Sequence, residues 1–193
     1  MSGTIVFDIL DFWHAGAGHG AGRFLDATVK RTPAGLPVLP GRTVKGLLRD
    51  ALRQCEEFGH LEKGTTEDLF GSEIGTDRFK TEPGALQFGN AELPEGWERY
   101  AKTEEGRKIV DGFFDDLAST AIDEDGQAEK GSLRRIEVAI PLELHAPWQS
   151  TDPERIGEAK EALKTACGLV RRLGVSRTRG LGRVRVYLSD ERS

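Results

Sequence analysis

Six arginines and three glycines fall within Arg171-Arg-Leu-Gly-Val-Ser-Arg-Thr-Arg-Gly-Leu-Gly-Arg-Val-Arg185. Glycine lets backbone N–H groups approach a phosphate closely, and the planar guanidinium of arginine donates to it in pairs. The stretch reads as an RNA- or phosphate-binding loop with Arg177 and Arg179 at its centre; the alternative is a solvated turn. It is not a Walker motif. Gly180 and Gly182 precede a strand and do not open a helix, which excludes the dinucleotide fingerprint. A second basic group lies in Leu39-Pro-Gly-Arg-Thr-Val-Lys-Gly-Leu-Leu-Arg49. Lys45 and Arg49 are four apart and share a helix face, Arg42 lies in the first turn, and a helix N-terminus adds potential that favours a phosphate. The competing reading is a solvated basic face paired with Asp50 or Glu56.

His14 and His19 flank a glycine loop, His14-Ala-Gly-Ala-Gly-His-Gly-Ala-Gly22. Imidazole titrates near neutral pH and invites a general acid–base role. With no partner identifiable, His14 is assigned a structural or RNA-contact role ahead of catalysis. Asp26, in Phe24-Leu-Asp-Ala-Thr28, is by spacing alone a turn or capping carboxylate. Cys55 and Cys167 lie far apart without zinc-site spacing, and read as buried free thiols of a reducing compartment.

These groups need a scaffold. Ile5, Phe7 and Ile9 alternate in a strand over Thr4 to Phe12, and Thr32-Pro-Ala-Gly-Leu-Pro is a turn. From Thr43, the residues Val44, Leu47, Leu48, Ala51, Leu52 and Cys55 recur at helical spacing. Ala85 to Ala91 reads as a second strand and Leu133 to Leu144 as a third. Asp152-Pro153 opens a second amphipathic helix that turns Ile156, Ala159, Ala162, Leu163, Ala166, Leu169 and Val170 to one side, and Gly182 to Leu188 is a last strand. The segment from Pro94 to Gly131 is polar, acidic and glycine-punctuated, with one apolar patch at Ile109, Val110, Phe113 and Phe114, and reads as an insertion. The order predicts an α+β, ferredoxin-like (RRM-like) βαββαβ core.

Length and composition fit one domain, 1–193, with an insertion over 92–135. Of the 193 residues, 37% are hydrophobic and 31% charged, with no apolar run near the ~20 residues of a membrane span. The N-terminal stretch lacks the basic region and small-residue cleavage site of a secretory signal, so a cytoplasmic, membrane-free address is expected. The net charge of -5 argues against indiscriminate polyanion binding and leaves room for a local basic groove. The acids concentrate around residues 92 to 129, the arginines near the C-terminal glycines.

Leu39-Pro-Gly-Arg-Thr-Val-Lys-Gly-Leu-Leu-Arg49 resembles the PGSSLKG-x-x-R helix start of RAMP proteins, with Arg42-Thr43 where the family has paired serines. Gly174-Val-Ser-Arg-Thr-Arg-Gly-Leu-Gly-Arg183 resembles their C-terminal glycine-rich loop. Three further segments are similar to the backbone subunits of type III CRISPR complexes: His14 to Arg31, Asp68-Leu-Phe-Gly71 with the stretch from Phe79 to Ala91, and Thr120 to Glu137. The last resembles the thumb hairpin that, in that branch, inserts between guide and target strands and splays a target nucleotide at regular intervals.

The resemblance implies an antiviral-defence ribonucleoprotein subunit. Its partners would be a CRISPR RNA guide, complementary target RNA, copies of itself and other effector subunits. It implies metal-dependent endoribonuclease cleavage of target RNA at regular intervals, with Asp26 as the catalytic and metal-binding residue and Mg2+ or Mn2+ as the ion. RNA contacts are then expected from His14, Arg42, Lys45, Arg49, Arg177 and Arg179, and in the thumb from Thr120, Ile122, Asp123, Arg134 and Arg135, with Ile122 as a small wedge between nucleotides. Two alternatives stand beside this: a catalytically inactive RNA-binding scaffold, and a standalone, metal-independent enzyme that processes the guide precursor around His14. A generic RRM is disfavoured, since the second and third predicted strands offer only Phe88 for base stacking.

Overall fold

The computed structural model describes residues 2–16, 27–72, 82–129 and 132–189. Strand β1 (Ser2–Ile9) buries Ile5, Phe7 and Ile9, as a period of two requires when one sheet face lies on a core. Helix α1 (Gly41–Glu57) turns Val44, Leu48, Ala51, Leu52 and Cys55 inward. Close packing explains the glycine at its start, because a Cβ on Gly41 would lie 2.7 Å from the carbonyl oxygen of Phe88. Pro40 offers no side-chain cap, and Asn90 takes that role from a distance by accepting the Gly41 N–H at 3.0 Å.

After α2 (Thr65–Phe70) and β2 (Leu86–Phe88) come two short helices, α3 (Trp97–Tyr100) and α4 (Glu104–Val110). A two-stranded ribbon follows, β3 (Phe114–Ser119) with β4 (Arg134–Ala139), then β5 (Glu143–Ser150), α5 (Ile156–Leu169) and β6 (Val184–Leu188). The main sheet runs β2-β5-β1-β6, every neighbour antiparallel. Taken as core strands one to four, this is the order second, third, first, fourth, the ferredoxin-like arrangement expected from the sequence. Ile5 lies opposite Ala146 on one side and Leu188 on the other. Leu48 and Leu52 of α1 and Ala162, Leu163 and Ala166 of α5 complete the same core.

Several boundaries differ from expectation. The first strand ends at Ile9, and Trp13 pairs instead with Ala139 of β4. The second strand spans only Leu86–Phe88; beyond it Ala91 exchanges backbone hydrogen bonds with Leu39 at 2.8 and 3.0 Å. The expected third strand over 133–144 is two strands in two sheets. The chain turns at Pro141, which has no N–H for a ladder. Ile140 donates to Phe113 at 3.1 Å and the Leu142 carbonyl accepts from Ile9 at 3.0 Å, so each flank is claimed by a different layer.

The polar, acidic segment is more structured than its composition implied. Leu36, Ala101, Val110 and Phe113 form a second small core, with Trp97 edge-on to Phe113 at 5.5 Å. Burial of these aromatic rings accounts for α3 and α4, which the sequence pattern did not reveal. Among the described residues no helix is long and apolar enough to cross a membrane.

Candidate nucleic-acid interface

The C-terminal glycine loop is closed by backbone pairs. Leu173 donates to Gly182 at 2.8 Å, Gly182 to Phe12 at 2.8 Å, and Val175 to His14 at 3.1 Å. Gly174 and Gly182 have φ of +75° and +70°, and a side chain on either would strike the carbonyl oxygen of His14 or Leu173 respectively. The glycines therefore serve a close crossing of the loop over the segment that follows β1. Between them, Ser176 adopts φ 54° and a single 3-10 turn presents Arg177 and Arg179 to solvent. Arg183 and Arg185 face acids instead, Asp11 at 3.4 Å and Asp8 at 2.6 Å.

The β3–β4 ribbon, expected from the sequence to be the thumb, pairs Ser119 with Arg134 and Ala118 with Arg135. Further out, Ile122 bridges Ala128. The Asp123 carboxylate closes the tip by accepting from the N–H groups of Asp125 at 3.1 Å and Gln127 at 2.8 Å. Thr120, Ile122 and Asp123 are exposed, Ile122 at 70%. A cleft of about 440 Å³ separates ribbon from glycine loop, with Ser119, Thr120, Ser132 and Arg134 on one wall and Arg179 on the other. Arg134, Arg179 and the hydroxyls of Ser119 and Thr120 give the cleft donors for a phosphodiester backbone, while the Ser132 hydroxyl donates within the hairpin to the Glu129 carbonyl at 2.7 Å and Glu129 also lines the cleft. Strand alternation turns Arg135 to the opposite side of the ribbon from Arg134.

The basic face of α1 does not join this cleft. Arg49 lines a separate cleft with Arg53, Lys63 and Thr66. Arg177 lines another, of about 580 Å³, with Leu47, Asp50 and Gln54, which occupy a different side of α1. Arg42 is exposed and Lys45 half-buried. Burial, and after it the charge of Arg49, lowers the pKa of Lys45 below the ordinary lysine value.

His14 is 2% exposed, with Nδ1 2.6 Å from the carbonyl oxygen of Glu137, a placement that fits the structural one of the two roles expected for it. Asp26 and His19 lie outside the described residues. The flanks of that loop are described: Lys30 donates to Ala15 at 2.8 Å, and Gly16 bridges Val29.

The family model of the RAMP superfamily matches residues 6–185. The chain belongs to the RAMP superfamily. A search of curated proteins finds no match. Among solved structures, this RAMP chain is similar to a chain of type III-B Cmr-beta bound to cognate target RNA, at 13% identity and a TM-score of 0.72, covering 97% of each chain. It is also similar to a chain of type III-B Cmr-beta in the apo state, at 12% identity and a TM-score of 0.72, covering 99% of this chain and 98% of that one. At these identities the likeness is one of fold.

The RAMP fold thus sets its basic groups in separate places: thumb root and glycine loop across one cleft, the α1 cations on another side. Two residues that organise the site carry no sequence signal strong enough to single them out. Asn90 caps α1 from 49 positions away, a pairing no local pattern reveals. Glu137 is 7% exposed and holds Val29 and Arg31. Its one trace in the sequence is a lone charge inside the apolar run Ile136 to Ile140.

Proposed function

We propose that this RAMP protein is a guide-RNA-binding backbone subunit of a type III-like CRISPR effector complex, and that it cuts bound target RNA at regular intervals with Asp26. The observation that carries RNA binding is the cleft in which Arg134, Thr120 and Arg179 converge from the thumb and the glycine loop. A chain with this fold in Cmr-beta is found with cognate target RNA, and self-stacking along a guide is the assembly this reading expects. The exposed Ile122 is suited to wedge apart stacked nucleotides at the cost of unstacking.

Among the described residues no three His, Cys, Asp or Glu side chains converge on a point. On this reading the ion would be held by the Asp26 carboxylate together with RNA phosphate oxygens, a combination magnesium accepts. So held, the ion supplies charge stabilisation at the scissile phosphate. The burial of His14 favours this reading over guide-precursor processing by acid–base chemistry at that residue.

The test is cleavage of a labelled complementary target by the guide-loaded assembly, with magnesium, manganese or EDTA, comparing wild type with Asp26→Ala. Regularly spaced cuts that need metal and vanish in the variant while binding persists are expected. Binding without cutting by either protein would make this subunit a scaffold.

A further inference from the structure

We infer that Glu137 is a positioning residue for target cleavage, tying the base of the loop that follows β1 to the root of the thumb; this rests on the cleavage proposed above. Glu137 lies on β4, and all four of its hydrogen-bonding positions reach the first loop. Its N–H donates to Ala27 at 3.0 Å and its carbonyl oxygen accepts from His14 Nδ1 at 2.6 Å. Its carboxylate accepts the Val29 N–H at 2.9 Å through Oε2 and the Arg31 guanidinium at 2.6 Å through Oε1.

Arg31 extends the linkage, since its guanidinium carbon lies 3.6 Å from the ring centroid of Phe114, the first residue of β3. Both thumb strands therefore grip the same short stretch. That stretch pairs in parallel with β4 at Ala27 and Ile136, and it closes on the outgoing limb where Lys30 donates to Ala15. Ala27 directly follows Asp26 in the sequence, so the tie is made one residue from the carboxylate proposed to cut.

Stability alone does not account for a carboxylate here. A buried ion pair is commonly no better for folding than apolar residues of like volume, whereas it demands one geometry of everything it touches. Four bonds converging from one residue on both limbs of a loop are a register device. Small displacements of a catalytic group are costly in rate, so the coupling matters if the thumb presents the kinked phosphate and the first loop supplies the carboxylate.

The test compares wild type, Glu137→Gln, which keeps an acceptor for Val29, and Glu137→Ala, which removes it. Amide exchange in the full chain is read at Val29 and Lys30, with Val44 of α1 as the control. In the guide-loaded assembly the cut rate at saturating target is read separately from target affinity. We expect faster exchange at Val29 and Lys30 in the alanine variant with Val44 unchanged. We further expect about tenfold slower cutting at target affinity near that of wild type, most of it regained in Glu137→Gln. Wild-type exchange, or wild-type cutting, in the alanine variant would overturn the inference. If that variant does not fold, Arg31→Ala, at a partly exposed side chain, takes its place: faster exchange with slower cutting supports the linkage, and wild-type values of either overturn it. If wild type itself fails to cut, the cleavage reading falls, and with it a role for Glu137 in cleavage, while the exchange arm still decides whether Glu137 ties the loop to the thumb.

Discussion

Gly174 packs against the backbone of His14 so closely that a side chain on it would collide with the His14 carbonyl oxygen, the same oxygen that accepts the Val175 N–H at 3.1 Å. Two glycine-containing segments far apart in the chain meet at one backbone acceptor. Gly174→Ala must bear both a left-handed φ and that collision, and is expected to lower stability by roughly 2–4 kcal/mol in urea unfolding. Gly46→Ala is the contrasting case. It lies inside α1 with nothing within 4 Å of an added Cβ, and should leave stability unchanged or raise it by roughly 0.5–1 kcal/mol. Equal behaviour of the two variants would contradict the crossing.

Acid sensitivity should centre on Glu56. Burial acts to raise its pKa, but hydrogen bonds from Thr66 and from the Gly64 N–H outweigh it, and the net shift is downward. A carboxylate with a depressed folded-state pKa stabilises the fold above its unfolded value, and that stability is lost as pH falls through the folded pKa. Thermal melts of wild type are therefore expected to drop as pH falls below about 4.3, the unfolded glutamate value. Glu56→Gln should melt lower at neutral pH and show a shallower acid limb; parallel pH profiles would be the contrary result.

The thumb tip is held by the Asp123 carboxylate together with backbone bonds, Asp123 donating to Gln127 at 2.8 Å and Gly126 to Asp123 at 3.1 Å. Asp123→Ala removes the acceptor for two backbone N–H groups, whereas Asp123→Asn retains one. The alanine variant should speed amide exchange at Asp125 and Gln127 and leave global stability within about 0.5 kcal/mol, because the tip is exposed. Protection at both amides equal to wild type would show that the tip does not depend on this turn.

What the sequence made legible follows from how local the causes are. β1, α1, α5 and β6 carry their own periodicity, and all four lie close to where that periodicity puts them. The Pro-Gly start of α1 and the glycines at 174 and 182 were visible as residue types, but their reason, contact with Phe88, His14 and Leu173, lies elsewhere in the chain. The split of 133–144 was hidden because Ile136, Val138, Ala139, Ile140 and Leu144 read as one apolar run; only the partners of each half, Leu117 opposite Ile136 and Phe7 opposite Leu144, separate them. The residues around His14 left a structural and an RNA-contact role both open, because its burial depends on β4, far along the chain. The cleft joining Thr120, Arg134 and Arg179 could be expected as three RNA-binding residues but not as one place.

RNA affinity measured against salt for a labelled single-stranded RNA tests the central claim most directly, comparing wild type with Arg134→Ala/Arg179→Ala and with Arg183→Ala as the acid-paired control. The account predicts a loss of about tenfold or more in the double variant, with the slope of log affinity against log salt reduced in magnitude by about 1.4, as two lost single-strand phosphate contacts require, and little change for Arg183→Ala. Affinity and slope unchanged in the double variant would contradict the assignment of this cleft to RNA.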